Sequence, residues 1–393
     1  MALPNEISPA LVDAHPHLRL VYGEGVVSQV GELAQKLGGQ QVLLVTDPGI
    51  VAAGHVDVVQ GLLESVGLTV IVYDRSKENP TTACVDECAE VAREAKVNFI
   101  IGLGGGSSMD TAKGANFILT NGGEMKDYWG VGKASKPMLP SIMIPTTAGT
   151  GSECQSFALI ADDETHQKMA CGDPKAMAKV ALLDPALTVS QPPRVTACTG
   201  IDAIAHAVET AVTRKRNEAS LKYSHEAFRL LIAGFSRALK VPDDVEARGR
   251  MLLGAALAGT AIEHSMLGAA HSAANPLTAH YDVIHGQAVG MMLPHVVRFN
   301  AADNASAEGY AALIRGTPLE PANSVASAET LADELVQLLD IADLPHGLNA
   351  CGVEEAKIGV MSEEAADQWT ASFNPRDITV ADFTELYQKA FAS

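Results

Sequence analysis

Hydrophobic positions in the first half of the chain come in short unbroken runs. QQVLLVTD (40–47), LTVIVYD (68–74), NFIIGLGGG (98–106) and LPSIMIPTT (139–147) are rich in β-branched residues, the pattern of strands buried on both faces. Between them, VDVVQGLLESVG (56–67) and TACVDECAEVAREAK (82–96) space their apolar side chains three and four apart, which predicts helices packed on a sheet. Strand alternating with helix predicts a parallel, doubly wound, Rossmann-like α/β sheet with its ligands at the carboxyl ends of the strands. After about residue 188 the texture changes. SQPPRVTACTG (190–200) brings two prolines, and apolar stripes near the 3.6 period follow in TACTGIDAIAHAVETAV (196–212), SHEAFRLLIAGFSRAL (224–239) and SAETLADELVQLLDIA (327–342). The expected organisation is an α/β domain over 1–188 and an all-α domain over 189–393.

Length agrees, since 393 residues exceed what one hydrophobic core usually holds. Charge narrows the partners: 28 Lys and Arg against 47 Asp and Glu give −19, which repels phosphate backbones and anionic lipid, so neither nucleic acid nor membrane is expected. No stretch approaches the roughly 18 apolar residues needed to span a bilayer. The start, MALPNEISPALVDAHPHLRL, has no basic segment followed by an apolar one, and six scattered cysteines form no CxxC pair. A reducing, cytoplasmic location is expected.

Two turns after predicted strands carry candidate chemistry. IIGLGGGSSMDTAKGANF (100–117) runs through Gly104, Gly105 and Gly106 into a helix opened by Ser107 and Ser108. Glycine lets the backbone approach a ligand, and a helix N-terminus favours a pyrophosphate. The spacing is neither GxGxxG nor the P-loop pattern, and a turn filled with glycine for packing alone reads the same way. PTTAGTGSE (145–153) offers Thr146, Thr147 and Thr150 beside glycines, as cofactor contacts or as caps and turn formers. Asp47 at the tip of VLLVTD suits an adenosine ribose and would repel a 2′-phosphate, favouring NAD over NADP; it equally suits a helix N-cap before Pro48.

In the second half, Asp202 and His206 lie four apart on a predicted helix and leave the same face. His271 and His285 follow, fourteen apart across an expected loop broken by Pro276. One carboxylate and three imidazoles suit Fe²⁺ or Zn²⁺ and leave room for a substrate oxygen. Spacing does not choose among the histidines, because His264, His280 and His295 compete.

Together these motifs resemble the iron-containing alcohol dehydrogenase family. GGGSSMDTAK (104–113), PTTAGTGSE (145–153), TGIDAIAHAVE (199–209), HSAANPLTAHYDVIHGQAVGMMLPHVVRFN (271–300) and NPR (374–376) are similar to its signatures, in order, over nearly the whole chain. The resemblance implies the dehydroquinate synthase-like fold, an N-terminal dinucleotide-binding domain, a helical metal- and substrate-binding domain, a cleft between them and a homodimer. It implies Asp202, His206, His271 and His285 as metal ligands, holding Fe²⁺ with Zn²⁺ as the alternative. For NAD it implies Asp47, Gly104, Gly105, Gly106, Ser107, Asp110, Thr146, Thr147, Thr150 and Lys168. The implied activity is reversible hydride transfer between a small alcohol or aldehyde and NAD. Some members carry a proton-relay histidine where this chain has Asn275, an amide that cannot exchange a proton near neutral pH; His264 or His280 are the candidates to replace it. Ile262, Glu263 and His264 depart from the residues that members more often show, so the substrate does not carry over.

Two other activities fit related scaffolds: a hydroxyacid–oxoacid transhydrogenase, and a dehydroquinate synthase-like lyase that uses NAD transiently. The lyase needs clustered basic residues, and only Arg298 is basic over 260–300. A binding protein that has lost turnover would not be expected to keep the whole ligand set and both turns.

Overall fold

The computed structural model describes residues 17–165, 167–322 and 326–393; most of the N-terminal stretch read above for a leader lies outside them. The chain divides into two compact units, one of residues up to Thr147 with Gly151–Gln191, the other of Ala148–Thr150 with Pro192–Ser393.

In the first unit, chain order is β1 (Arg19–Tyr22), α1 (Val30–Lys36), β2 (Gln41–Val45), α2 (Pro48–Ala52), α3 (His55–Ser65), β3 (Thr69–Tyr73), α4 (Thr82–Glu94), β4 (Phe99–Gly104), α5 (Gly106–Asn121), β5 (Gly130–Val131), β6 (Ser141–Pro145), β7 (Phe157–Ala161), β8 (Lys168–Gly172) and β9 (Val180–Leu183). Six strands form one parallel sheet in the order β1-β9-β6-β4-β2-β3. All four predicted strands belong to it. Its central strands are buried on both faces, with Val42, Leu44, Phe99, Ile101, Ile142 and Ile144 in one apolar core. From β2 the chain moves outward to β3, but from β4 it moves the other way to β6, so the β2/β4 pair is where the winding reverses. Ligands of open α/β sheets bind outside the carboxyl ends of such strands. β5, β8 and β7 form a second, smaller sheet that the hydrophobic pattern does not announce.

The second unit is helical: α6 (Pro193–Thr210), α7 (Glu218–Lys240), α8 (Val245–His264), α9 (Ala269–Tyr281), α10 (His285–Asn300), α11 (Asn304–Ile314), α12 (Ala328–Ile341), α13 (Ile358–Asp367) and α14 (Val380–Phe391). The expected loop around Pro276 is instead helix α9, with the proline inside it. An interior proline costs about 3 kcal/mol through a lost hydrogen bond and a ring clash. Complete burial of Ala269, Ala270, Ala273, Ala274 and Leu277 offsets it, and this burial is not visible in a local pattern. Among the described residues no helix is long and apolar enough to cross a membrane.

Candidate metal centre and nucleotide-binding turns

The glycine-rich turn leaves β4 at Gly104, whose φ of +146° suits glycine. A Cβ there would lie 2.7 Å from Ser108 Oγ and 3.2 Å from Asp47 Oδ2. Gly102 differs in purpose: its Cβ would strike Met143 Sδ at 2.6 Å, so that glycine serves packing. Helix α5 then starts at Gly106, followed by Ser107, with no side chain capping its N-terminus, the arrangement that leaves N–H groups and a positive dipole end for an anion. The two turns touch. Thr146 N–H donates to the Gly104 carbonyl at 2.9 Å, and a Cβ on Gly105 would sit 3.4 Å from Thr147 Cγ2. Thr146 Oγ1 is buried with no hydrogen-bond partner among the described residues.

The charged residues of this region are occupied by the protein itself. Asp47 Oδ1 accepts from the Gly49 and Ile50 N–H groups and caps α2, while Oδ2 accepts from Ser108 Oγ at 3.0 Å. The N-cap that the sequence offers for Asp47 is therefore present, and the second carboxylate oxygen meets the helix of the glycine turn. Asp110, expected among the cofactor contacts, is buried and turned elsewhere: Oδ1 accepts from Ser152 Oγ at 2.6 Å and Oδ2 from the Leu159 N–H at 3.2 Å. Lys113, one turn on and 2% exposed, donates to the carbonyls of Ser152, Gln155 and Phe157 and to Ser152 Oγ, at 2.6 to 3.1 Å. Its Nζ is also 3.5 Å from Asp110 Oδ1. This pair fastens the segment after PTTAGTG to the helix of the glycine turn. Lys168 lies exposed at the start of β8, with Nζ 3.4 Å from Asn79 Oδ1. Thr150 is half-buried, in the short piece of the same loop that groups with the second unit.

In the second unit, α6 carries Asp202 and His206 on one face, α9 carries His271 near its start, and His285 opens α10. Their distances converge on one atom: Asp202 Oδ1 is 3.5 Å from His206 Nε2, 3.3 Å from His271 Nε2 and 3.9 Å from His285 Nε2. Donor atoms of Asp202, His271 and His285 all lie within 4.8 Å of one another, and the His206 ring stacks on that of His271 at 4.8 Å between centroids. Asp202, His206 and His271 are buried, whereas the His285 side chain keeps 31% of its surface, so the cluster has one open side.

Two buried atoms here, Asp202 Oδ1 and His271 Nε2, face each other with no hydrogen bond among the described residues. Burial opposes the Asp202 carboxylate, but His206, His285 and His271 hold it well below the usual carboxylate range. Burial drives His206 down to about 4 against the pull of Asp202. His271 is also opposed by burial, yet the Glu209 and Asp202 carboxylates raise it to about 9. Three imidazoles gathered on one buried carboxylate oxygen, which like His271 Nε2 has no hydrogen-bond partner among the described residues, fit a divalent cation of the Fe²⁺ or Zn²⁺ kind.

The other histidines lie elsewhere. His264 stacks on Tyr223, His280 pairs with Glu364 at 2.8 Å, and His295 lies 3.4 Å from Ser393 Oγ. Asn275, one turn after His271 on α9, donates its amide to Gln368 Oε1 at 2.9 Å. Sequence reasoning missed Glu209: this buried carboxylate accepts from the Ala270 N–H at 2.7 Å and meets His271 Nδ1 at 2.5 Å. The available signal was its place three after His206 and seven after Asp202, the same helical face.

Close backbone approach sets this geometry. A Cβ on Gly286 would come within 2.0 Å of the Cys198 carbonyl oxygen and 3.2 Å of Asp202 Cβ, so α10 can start against α6 only because that residue is glycine. The NPR segment is also structural. Asn374 exchanges amide hydrogen bonds with Asn300 at 2.7 and 3.0 Å, and the Arg376 guanidinium lies 4.0 Å over the Phe299 ring.

Comparison with known proteins agrees with this geometry. Residues 16–185 match the profile described as iron-containing alcohol dehydrogenase, and residues 196–391 match the C-terminal profile of the Fe-containing alcohol dehydrogenase family. The chain is 31% identical over 370 residues to the NAD-dependent methanol dehydrogenase of Bacillus methanolicus, covering 94% of this chain and 97% of that one. It is 35% identical over 373 residues to alcohol dehydrogenase 4 of Schizosaccharomyces pombe, covering 94% and 87%. The solved alcohol dehydrogenase from Oenococcus oeni superposes with a TM-score of 0.90 at 30% identity, covering 95% and 98%. With both profiles matched along its length, the chain belongs to the iron-containing alcohol dehydrogenase family.

Proposed function

We propose that this oxidoreductase moves a hydride reversibly between a small alcohol and NAD, with Asp202, His206, His271 and His285 holding Fe²⁺, or Zn²⁺ as the alternative. The observation that carries the reading is the gathering of imidazole nitrogens on Asp202 Oδ1 with no hydrogen bond to that atom among the described residues. When bound, the cation supplies Lewis acidity that lowers the pKa of an alcohol hydroxyl, and the nicotinamide supplies the hydride acceptor.

The chain's own residues hold and orient. The uncapped start of α5 and the Gly104–Gly106 turn would receive the pyrophosphate, with Thr146, Thr147 and Thr150 offering hydroxyls. Asp47 places its carboxyl group beside that turn, which supports NAD over NADP. The open side at His285 leaves an approach for substrate. Asn275 is an amide tethered to Gln368, so it contributes hydrogen bonding and no titrating proton. In this reading residues 1–188 serve the nucleotide and 189–393 the metal and substrate. Six cysteines scattered along the chain without a CxxC pair support a reducing, cytoplasmic setting, and the family resemblance supports a homodimer.

The test is metal analysis of the purified protein coupled to a panel of small alcohols and aldehydes with NAD and NADP in parallel. Turnover with NAD that vanishes on chelation and returns with Fe²⁺ or Zn²⁺ is expected. Alcohol-dependent NADH formation that survives complete metal removal would overturn the proposal.

A further inference from the structure

Glu209 takes no part in the ligand set above, yet it is the carboxylate that touches it. On α6 it lies one helical turn beyond His206, buried at 4% exposure, and both its oxygens are engaged by the first turn of α9. Oε1 accepts from the Ala270 N–H, one of the donors that a helix start leaves unpaired, and Oε2 meets His271 Nδ1. A carboxylate at Nδ1 keeps a proton on that nitrogen, so Nε2 is the one left to offer its lone pair, and Nε2 is the atom facing Asp202 Oδ1 at 3.3 Å. The ring is thereby fixed in tautomer and in rotation by a group on the same helix as Asp202 and His206.

The backbone beside the carboxylate is closely packed. A Cβ on Gly268 would sit 3.2 Å from Glu209 Oε1 and 3.3 Å from Asn374 Oδ1, so the backbone before α9 runs in a slot between Glu209 and the paired Asn374 and Asn300 amides. We propose that Glu209 is a positioning residue of the metal centre, acting through His271 to preset its Nε2 toward the cation. The inference rests on the metal reading of Asp202, His206, His271 and His285.

Co²⁺ alone, a coloured probe, tests it on the full-length protein by competition with a chelator, with the visible spectrum of the bound ion as a second readout. Glu209→Gln keeps the shape and removes the charge, and loss of such an outer partner typically weakens metal binding by about 10–100-fold. We expect a Co²⁺ dissociation constant raised by that factor, with an altered spectrum. Melting of the metal-free protein reports whether the variant folds. Gly268→Ala, which keeps Glu209 and crowds Oε1, is the second variant and should weaken Co²⁺ by a smaller factor. Parental affinity and spectrum in both variants would overturn the role of Glu209, whereas failure of the parent to bind Co²⁺ would overturn the metal reading itself.

Discussion

The two regions that carry the family motifs use their charged residues in opposite ways. At the glycine turn, Asp47, Asp110 and Lys113 are bonded to the chain itself, and what stays unpaired among the described residues is small, as in the buried hydroxyls of Thr46 and Thr146. At the metal cluster the charged and basic donor atoms themselves are left over, Asp202 Oδ1 and His271 Nε2 among them. Charged residues of the motifs thus have two fates, bonded within the chain at the glycine turn and left over at the cluster. In the first region the ionic side chains hold the turns in place, which under the proposed function leaves backbone, dipole and shape for the nucleotide, whereas in the second the same proposal gives the ionic side chains to the metal.

The largest effect that would break this contrast comes from the second region. His271→Ala or Asp202→Asn should lower turnover by about 10³-fold or more and release the metal while the protein still melts cooperatively, measured by steady-state kinetics, metal analysis and circular dichroism. Near-parental turnover would make the cluster a structural one. In the first region the loss should fall on stability. Lys113→Met leaves Asp110 and three carbonyls short of a donor in a buried site, and we expect about 3–5 kcal/mol of destabilisation by denaturant unfolding.

Glu153 sharpens the picture through pH. Burial raises its carboxyl from the ordinary 4.5 to about 7, with Lys113 opposing. The folded state thus binds the proton more tightly than the unfolded one, so this contribution to stability is full below about pH 4.5 and is lost as pH rises through 7. Glu153→Gln should accordingly be more stable than the parent at pH 8, by at most about 3 kcal/mol, with the difference closing toward pH 4.5. A difference independent of pH would show that the carboxyl does not titrate there. The smallest effect is expected at Asp47→Asn, which keeps a capping side chain: stability should hold within about 0.5 kcal/mol, while preference for NAD over NADP narrows by about tenfold, or 1.4 kcal/mol. An unchanged preference would confine Asp47 to capping.

Much of the fold is legible in the chain because burial on both faces writes itself locally: the runs at 41–45, 69–73, 99–104 and 141–145 are strands of the parallel sheet. The 157–161 and 168–172 hairpin partners are not, since FALIA and KMACG lack a distinctive period and are fixed by pairing with each other. Pro276 hid a helix because only tertiary burial outweighs its local cost. At the site, Asp202 and His206 are legible from their spacing on one helix, but spacing cannot separate His271 and His285 from His264, His280 and His295, and family resemblance made that choice. Glu209 and Lys113 escaped because a charged residue within a helix ordinarily meets water, and nothing local says that these two face inward.

Gly286 has the least chemistry of any residue near the cluster, and its neighbour His285 has among the most. Any side chain at 286 must lever the first turn of its helix off the Cys198 carbonyl and carry the adjacent imidazole away with it. A survey of tolerated substitutions would thus record this hydrogen-bearing position as intolerant as a ligand, and a designer grafting the four donors onto another helical scaffold would have to copy this close approach of main chain to main chain as well.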